Sequence, residues 1–360
     1  MWIGNSIRRQ GEPGRRLPVR IRAGVRYSTG YTVHWAQVLA VALVLEPVIH
    51  GNDGAASTAA GGIQLKREAR ISMEKERLAI GEKKITVEYE FLNETDGDIT
   101  TEVAFPIPPY EAHLCCDPAR PIDNLRIWVE GREITYQSEA KAMLRGVDYA
   151  PRLRQIGVDV VSLGHFDEPS ADNPNFSRDF GRLSKQQQVE LKRTGLFDEY
   201  FPQWTVELTH HWQQTFPAHK ILHVRHEYTP VIGEMVTVLT DLTGTPPETR
   251  HGANFAQWCI DAPLRKNLAA SMQRNGGSSV AKWVDYILTT ANTWKKPIKQ
   301  FELVVERPKP DASAKYYYVS FCWDGEVLQP DPDHFVARKT NFVPTRELSV
   351  GFFAREVTPP

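Results

Sequence analysis

From residue 62 onward, apolar and polar residues alternate with period two over much of the chain. In "KKITVEYEFLN", Ile85, Val87, Tyr89 and Phe91 share one face, and Glu88 and Glu90 share the other. A strand with one buried face has this pattern. "NETDGD" follows, with Asp96-Gly97 as a hairpin signal, and "ITTEVAFPIPP" reads as the returning strand. Its prolines end the strand, because they cannot donate to a ladder. "NLRIWVEGREITY" reads as a second hairpin, turning at Glu130-Gly131. "WTVELTHHW" carries Trp204, Val206, Leu208, His210 and Trp212 on one face, and "KILHVRHEY" carries Leu222, Val224, His226 and Tyr228. Joined by Thr215 to His219, these two are expected to pair as a third hairpin. "GEMVTVLTD", "AKWVDYILTT", "QFELVVER", "KYYYVSFCW", "DHFVARKTNF" and "RELSVGFFA" extend the series, with a tight turn at Asp324-Gly325.

The period changes in three places. "SEAKAMLRG" and "SKQQQVELKRTGL" contain good helix formers, and the second is bounded by Ser184 as N-cap and Gly195 as terminator. "PLRKNLAASMQRNGG" is an amphipathic helix ending in glycines. The polar, proline-bearing "DEPSADNPNFSRDFG" reads as a loop or lid. The fold class expected is therefore mainly β: sandwich-like antiparallel sheets with a helical insertion at 140–200 and one further short helix. Residues 62–232 are expected to form an N-terminal sandwich and 233–360 a C-terminal sandwich-like domain.

The first fifty residues differ. Seven arginines lie between Arg8 and Arg26, followed by the apolar "VHWAQVLAVALVL" and then small residues. The apolar run is shorter than the roughly 20 residues that a spanning helix needs. The order reads as a secretory signal over 1–51, cut near Gly51, with a flexible leader at 52–61; a retained anchor is the other reading. No later stretch could span a membrane. The mature chain is thus expected in the periplasm or outside the cell, where disulfides form. Of the four cysteines, Cys259 and Cys322 lie in separate apolar segments and are expected to pair. Cys115 and Cys116 are adjacent, and a bridge between neighbours is strained. No CxxC or Cys/His finger spacing suggests structural zinc. The formal net charge of −1 provides no basic field for nucleic acid.

GxSxG, HExxH, P-loop and GxGxxG signatures are all absent, so no catalytic residue and no cofactor is assigned. The acidic turn "DPDHF" could hold a cation but reads equally as surface. His210 to His226 include five of the eleven histidines. In a hairpin, His210 and His226 would share the apolar face, and His211 and His223 the opposite one. Only directly opposed residues come within about 5.5 Å, and one register cannot oppose both pairs. At most two histidines would then form a close pair, fewer than a zinc site needs. A metal- or pH-responsive site using His211, His223 and His226 is the alternative to a filled core with a solvated outer pair. Trp294, in a polar turn flanked by lysines, is either an anchor for a partner or a lid folded over the sandwich end.

Taken in order, "NDGAAS…GGIQL", "VEYEFLNETDGDITTEVAFPIP", "WTVELTHHWQQTFPAHKILHVRHEYTPVIG", "WCIDAPL", "ILTTANTWKKPIKQFELVVERPKPD", "VSFCWDG" and "TNFVPTRELSVGFF" resemble the bacterial secreted family catalogued as domain of unknown function 4424. The resemblance implies export and assigns no activity. Trp212 to Ala218, Lys220, His226, Tyr228 and Pro230 match its pattern. His219 replaces a glycine, and His210, His211 and His223 fall outside the pattern, which argues against a metal site common to the family. "FLNETDGDITTEVAFPIP", "EAKAML" and "WTVELTHHWQQTFPAHKILHVRHEYTP" are similar, in the same order, to the vault/inter-alpha-trypsin type of β-sandwich domain. The function expected is a non-enzymatic periplasmic or envelope binding or interaction module, with an envelope protein as a candidate partner. A hydrolase with a site assembled between the two domains is a second alternative, and a nucleophile, a base and oxyanion donors within one cleft would mark it.

Overall fold

The alternating segments become strands. The computed structural model describes residues 53–59, 62–112, 125–161, 180–181, 183–198, 201–243, 255–311 and 314–355, and among them the strands form three sheets. The first sheet runs β10 (Val147–Asp148), β9 (Gln137–Leu144), β11 (Thr205–Phe216), β5 (Ile99–Pro106), β1 (Gly54–Ala59), β2 (Gly62–Leu65), with β6 (Tyr110–Glu111) also on β11. The second runs β17 (Leu328–Asp331), β18 (His334–Phe342), β15 (Ile298–Glu306), β3 (Ile71–Ile80), β4 (Ile85–Asn93), β12 (Ile221–Tyr228), β7 (Arg126–Val129), β8 (Arg132–Ile134). The third runs β13 (Ile232–Val238), β14 (Ser278–Tyr286), β19 (Leu348–Ala354), β16 (Tyr317–Phe321). The inward residues of β4, β5, β11 and β12 share one apolar core, so the first two sheets bury their apolar faces against each other.

Two expected hairpins are not hairpins. β11 pairs with β5 and β9, whereas β12 pairs with β4 and β7. Likewise β4 and β5 lie in different sheets. Both turns are corners at which the chain crosses from one sheet to the other. Turn chemistry specifies a reversal. Whether the flanking strands then lie side by side or face to face depends on where their apolar faces are buried. Asn93, fully buried, ties the corners together. Its amide donates to the carbonyls of Gly97 (2.8 Å) and Phe216 (2.9 Å), its side-chain oxygen accepts from the Thr95 amide, and its own carbonyl accepts from the His219 amide. The third expected hairpin, β7 to β8, is present, and Glu130 and Gly131 both take positive φ (49° and 74°) as its turn requires.

"SEAKAMLRG" is not helical. It supplies β9 and the turn into β10, because pairing along β11 outweighs local helix propensity. The helices at α2 (Lys185–Arg193) and α4 (Ala262–Arg274) follow the expected caps: Ser184 forms a capping box with Gln187, and Asp261 accepts from the Leu264 amide. α1 (Ala150–Gln155) and α3 (Leu239–Thr243) are short additions. The expected flexible leader also differs: residues 54–59 are β1, paired with β5 and β2, and Asp53, Ala55 and Ala56 are buried. The residues are small there because the strand is closely covered; a Cβ on Gly54 would lie 2.7 Å from Leu65.

The expected domain boundary at 232/233 runs through a sheet. β15 pairs in parallel with β3, so residues 298–306 and 71–80 are neighbours in one sheet. Val48–Pro360 form one compact unit. The third sheet turns Val284, Tyr286, Val350 and Phe352 to the main core. Its other face covers a smaller core of Trp258, Leu268, Met272 and Phe353 beside α4. There the Trp283 indole lies over Gly233, where a Cβ would be 2.0 Å from the ring, and Trp258 lies over Gly351. Cys259 and Cys322 form the expected disulfide at the end of this core. Cys115 and Cys116, the 1–51 segment and most of the expected lid lie outside the described residues.

The outer face of the second sheet is charged in register. Arg338, Glu302, Arg77, Glu88, Arg225, Trp128 and Glu133 stand opposite one another on seven successive strands. Glu302 bridges Arg338 (2.7 Å) and Arg77 (3.1 Å), Arg77 reaches Glu88 (3.5 Å), and Arg225 and Arg126 stack on Trp128.

Candidate functional site

The histidines do not converge. His211 faces out from β11 and bonds Glu102 (2.6 Å), and His223 lies on the outer face of the other sheet against Glu130 (3.2 Å). His219, at φ +53° in the corner, meets Asp96 (2.9 Å). No group of three metal-ligating side chains exists among the described residues. His226 does point inward as alternation predicts, but across the sandwich rather than across a hairpin. It is fully buried among Phe105, Tyr89 and Trp212, with ring centroids 4.9 to 5.5 Å away. Its nearest polar contact among the described residues is the Asp53 carboxyl, 3.5 Å from Nε2. Desolvation, then the neighbouring His210, pushes its pKa down to about 3. His210, bonded through Nδ1 to the Ser138 hydroxyl (2.7 Å), is lowered to about 4 by burial and then by His211. Burial, reinforced by Glu76, raises Asp53 well above the usual carboxylate range. Burial thus disfavours the charged form of both members of the His226–Asp53 contact, which suits a structural core.

Trp294 is the lid, not an exposed anchor. It is buried beside Phe91 (4.7 Å) and Phe216 (5.9 Å), and its indole N–H donates to the Asp53 carbonyl (2.7 Å). The acidic turn of "DPDHF" is exposed; Asp331 accepts from the backbone of Asp333 and His334 and meets the His334 ring (2.9 Å), and no group of three metal-ligating side chains forms there among the described residues.

Among the described residues lie two concavities of several hundred Å³, and a smaller one of about 180 Å³ that shares Cys322 and Arg346 with the second. One, of about 500 Å³, lies on the outer face of the second sheet around Trp128. Its charges are already matched: Lys75 with Glu90, Arg225 with Glu227 and Trp128, His223 with Glu130. The other is a cleft of about 660 Å³ beside the disulfide. Pro108, Pro109 and Glu207 come to it from the first sheet, and Asp285, Arg346 and Ser349 from the end of the third. The disulfide sulfur of Cys322 forms part of its wall. Sequence reasoning named none of these residues except the cysteine. The cleft joins segments more than a hundred residues apart, and no local pattern marks them.

Alternation on β14 turns Asp285 to the same side as Trp283, and Ser349 stands directly opposite it on β19. Asp285 opens to the cleft yet is surrounded by protein. Desolvation raises its carboxyl pKa, and hydrogen bonds from Ser349 and Trp283 moderate the rise. The Ser349 hydroxyl in turn accepts from the Trp258 indole (2.9 Å), so a chain of donors orients the acid. Glu347 is engaged, accepting from the amides of Leu288 (2.7 Å) and Thr289 (3.2 Å). Arg346 is exposed on the cleft and makes no hydrogen bond or ion pair with the described residues. A raised acid and an unengaged guanidinium in one cleft suit recognition of a polar ligand. Among the described residues that line the cleft there is no histidine or lysine to activate Ser349.

A sequence model of the family described as "Domain of unknown function (DUF4424)" matches residues 51–350. No curated protein matches the chain. Among solved structures, a Legionella pneumophila protein titled a "putative nutrient binding protein" aligns at 11% identity and a TM-score of 0.37, covering 85% of this chain and 71% of the other. At that score the likeness carries no inference about fold or ligand. Among the described residues, no helix is long and apolar enough to cross a membrane.

Proposed function

We propose, for a chain that belongs to the DUF4424 family, that the protein is exported after removal of its basic, apolar leader and acts by binding, with the cleft beside Cys259–Cys322 as its site. The observation that carries this reading is Arg346: an arginine that lines a cleft of about 660 Å³ and makes no hydrogen bond or ion pair with the described residues. Binding is favoured over hydrolysis because no histidine or lysine stands beside Ser349 among the described residues that line the cleft. The metal-responsive alternative finds no support in the positions of His211, His223 and His226, which lie on three different faces.

The test is a thermal-shift screen of the mature chain against sugars, amino acids, organic acids and nucleosides, repeated on Arg346→Met. A rise in Tm that disappears in the variant is expected for at least one class. A blank screen, together with an envelope pull-down that is identical for both proteins, would overturn the reading. Cell fractionation tests the export step, and a full-length product in the cytoplasm would contradict it.

A further inference from the structure

The cleft's charges select among ligand classes, and this step rests on the binding reading above. Three carboxylates (Glu207, Asp285, Glu347) and one guanidinium (Arg346) line it. Glu347 already accepts three hydrogen bonds, from the amides of Leu288 and Thr289 and from the Thr289 hydroxyl. A simple anion would satisfy Arg346 but face Asp285. A simple cation would satisfy Asp285 but face Arg346. A neutral sugar would lack a platform, because the one aromatic residue of the lining, Tyr286, is buried. Asp285 retains acceptor capacity, since a carboxyl has about four lone-pair sites and Ser349 and Trp283 take only some of them.

We propose that the cleft binds a small zwitterion, a free amino acid or a short peptide, with its carboxylate on Arg346 and its ammonium on Asp285. The volume, about 660 Å³, is in the range of pockets that hold such ligands. The pairing is charge-assisted at both ends, and the guanidinium fork matches a carboxylate bidentately. An ammonium beside Asp285 favours its charged form. Burial raises that acid in the unliganded protein, so an ammonium bound beside it lowers its affinity for a proton. A simple anion held by Arg346 would not.

The experiment is titration calorimetry at pH 5 in two buffers of different ionisation enthalpy. The probes are the free amino acids, Ala-Ala and Ala-Ala-Ala, with N-acetylalanine, alaninamide, succinate and glucose as controls. Free zwitterions are expected to bind with buffer-dependent heats. Blocking either end should weaken binding roughly tenfold or more. Arg346→Met should weaken alanine and peptides by a similar factor and leave alaninamide unchanged. Asp285→Asn should abolish the buffer dependence. Arg346 is exposed, so its variant is expected to keep the parent Tm, which separates lost binding from lost folding. Binding of succinate or glucose, but of no zwitterion, in a manner lost in Arg346→Met would overturn the ligand class and leave the binding reading intact. No binding by any free amino acid or peptide would also overturn it, and the wider screen then decides the binding reading on its own.

Discussion

Inside the sandwich, His226 and His210 are ionisable groups held where the charged form is costly. Unfolded, each titrates near 6.5; folded, they titrate at about 3 and about 4. Between those values the unfolded chain binds more protons than the folded one. Stability is therefore fully present above pH 6.5 and falls as the pH drops below it, by up to about 1.4 kcal/mol per unit for each histidine. Asp53 acts in the opposite sense. Its folded form keeps a proton that the unfolded chain loses above about 3.9, so its contribution declines as pH rises from there toward its folded value. The difference between parent and variant isolates the histidine. His226→Phe is expected to remove about 2 kcal/mol of the stability lost between pH 6.5 and pH 5, read from urea unfolding at the two values. Identical pH slopes for the two proteins would contradict the neutral, buried assignment. The inward direction of both histidines was legible in the alternation of "WTVELTHHW" and "KILHVRHEY". Their contact with Asp53 was not, because it depends on a small-residue strand whose composition resembles a flexible leader.

Among the elements, strands were read well and their partners poorly. The faces of β4, β11 and β12 follow directly from period two, and Ser184 and Asp261 cap helices where the sequence placed them. The failures share a cause. A turn signal such as Asp96-Gly97, or a proline turn such as Pro217, states that the chain reverses; it does not state whether the next strand pairs beside the last or crosses to the facing sheet. "SEAKAMLRG" failed for a related reason, since a neighbouring strand overrode its helix propensity. The pairing of Cys259 with Cys322 was legible because both lie in apolar segments of a chain expected to be exported. The corners themselves are testable. Asn93 serves both, and Asn93→Ala strands the buried Phe216 carbonyl and frees the Gly97 turn. A loss of about 2–3 kcal/mol is expected in denaturant unfolding. A loss below about 0.5 kcal/mol would mean that the corners hold without it.

For the whole molecule, the pairing of β3 with β15 decides what can fold alone. A fragment of residues 48–232 would keep β3, β4, β12, β7 and β8 but lose β15, β17 and β18, leaving the long edge of β3 and the main core uncovered. Such a fragment is expected to show no cooperative thermal transition and to bind a hydrophobic dye. A sharp transition near that of the full chain would instead support the two-domain division at 232/233. The cleft follows the same logic. Its walls come from both sides of that boundary, so it exists only once both parts are assembled, and no single stretch of sequence could have announced it.

The β3–β15 ladder also sets an order in time. A chain that emerges from its amino end makes β3 and β4 early, yet the edge of β3 waits for residue 306. Closing a loop of that span is entropically slow, and contacts so distant along the chain place the protein among slow folders. Until then an unpaired, partly apolar strand edge is open to other chains. Holding factors that cover such an edge should therefore raise the yield of refolding more than agents that speed local turn formation.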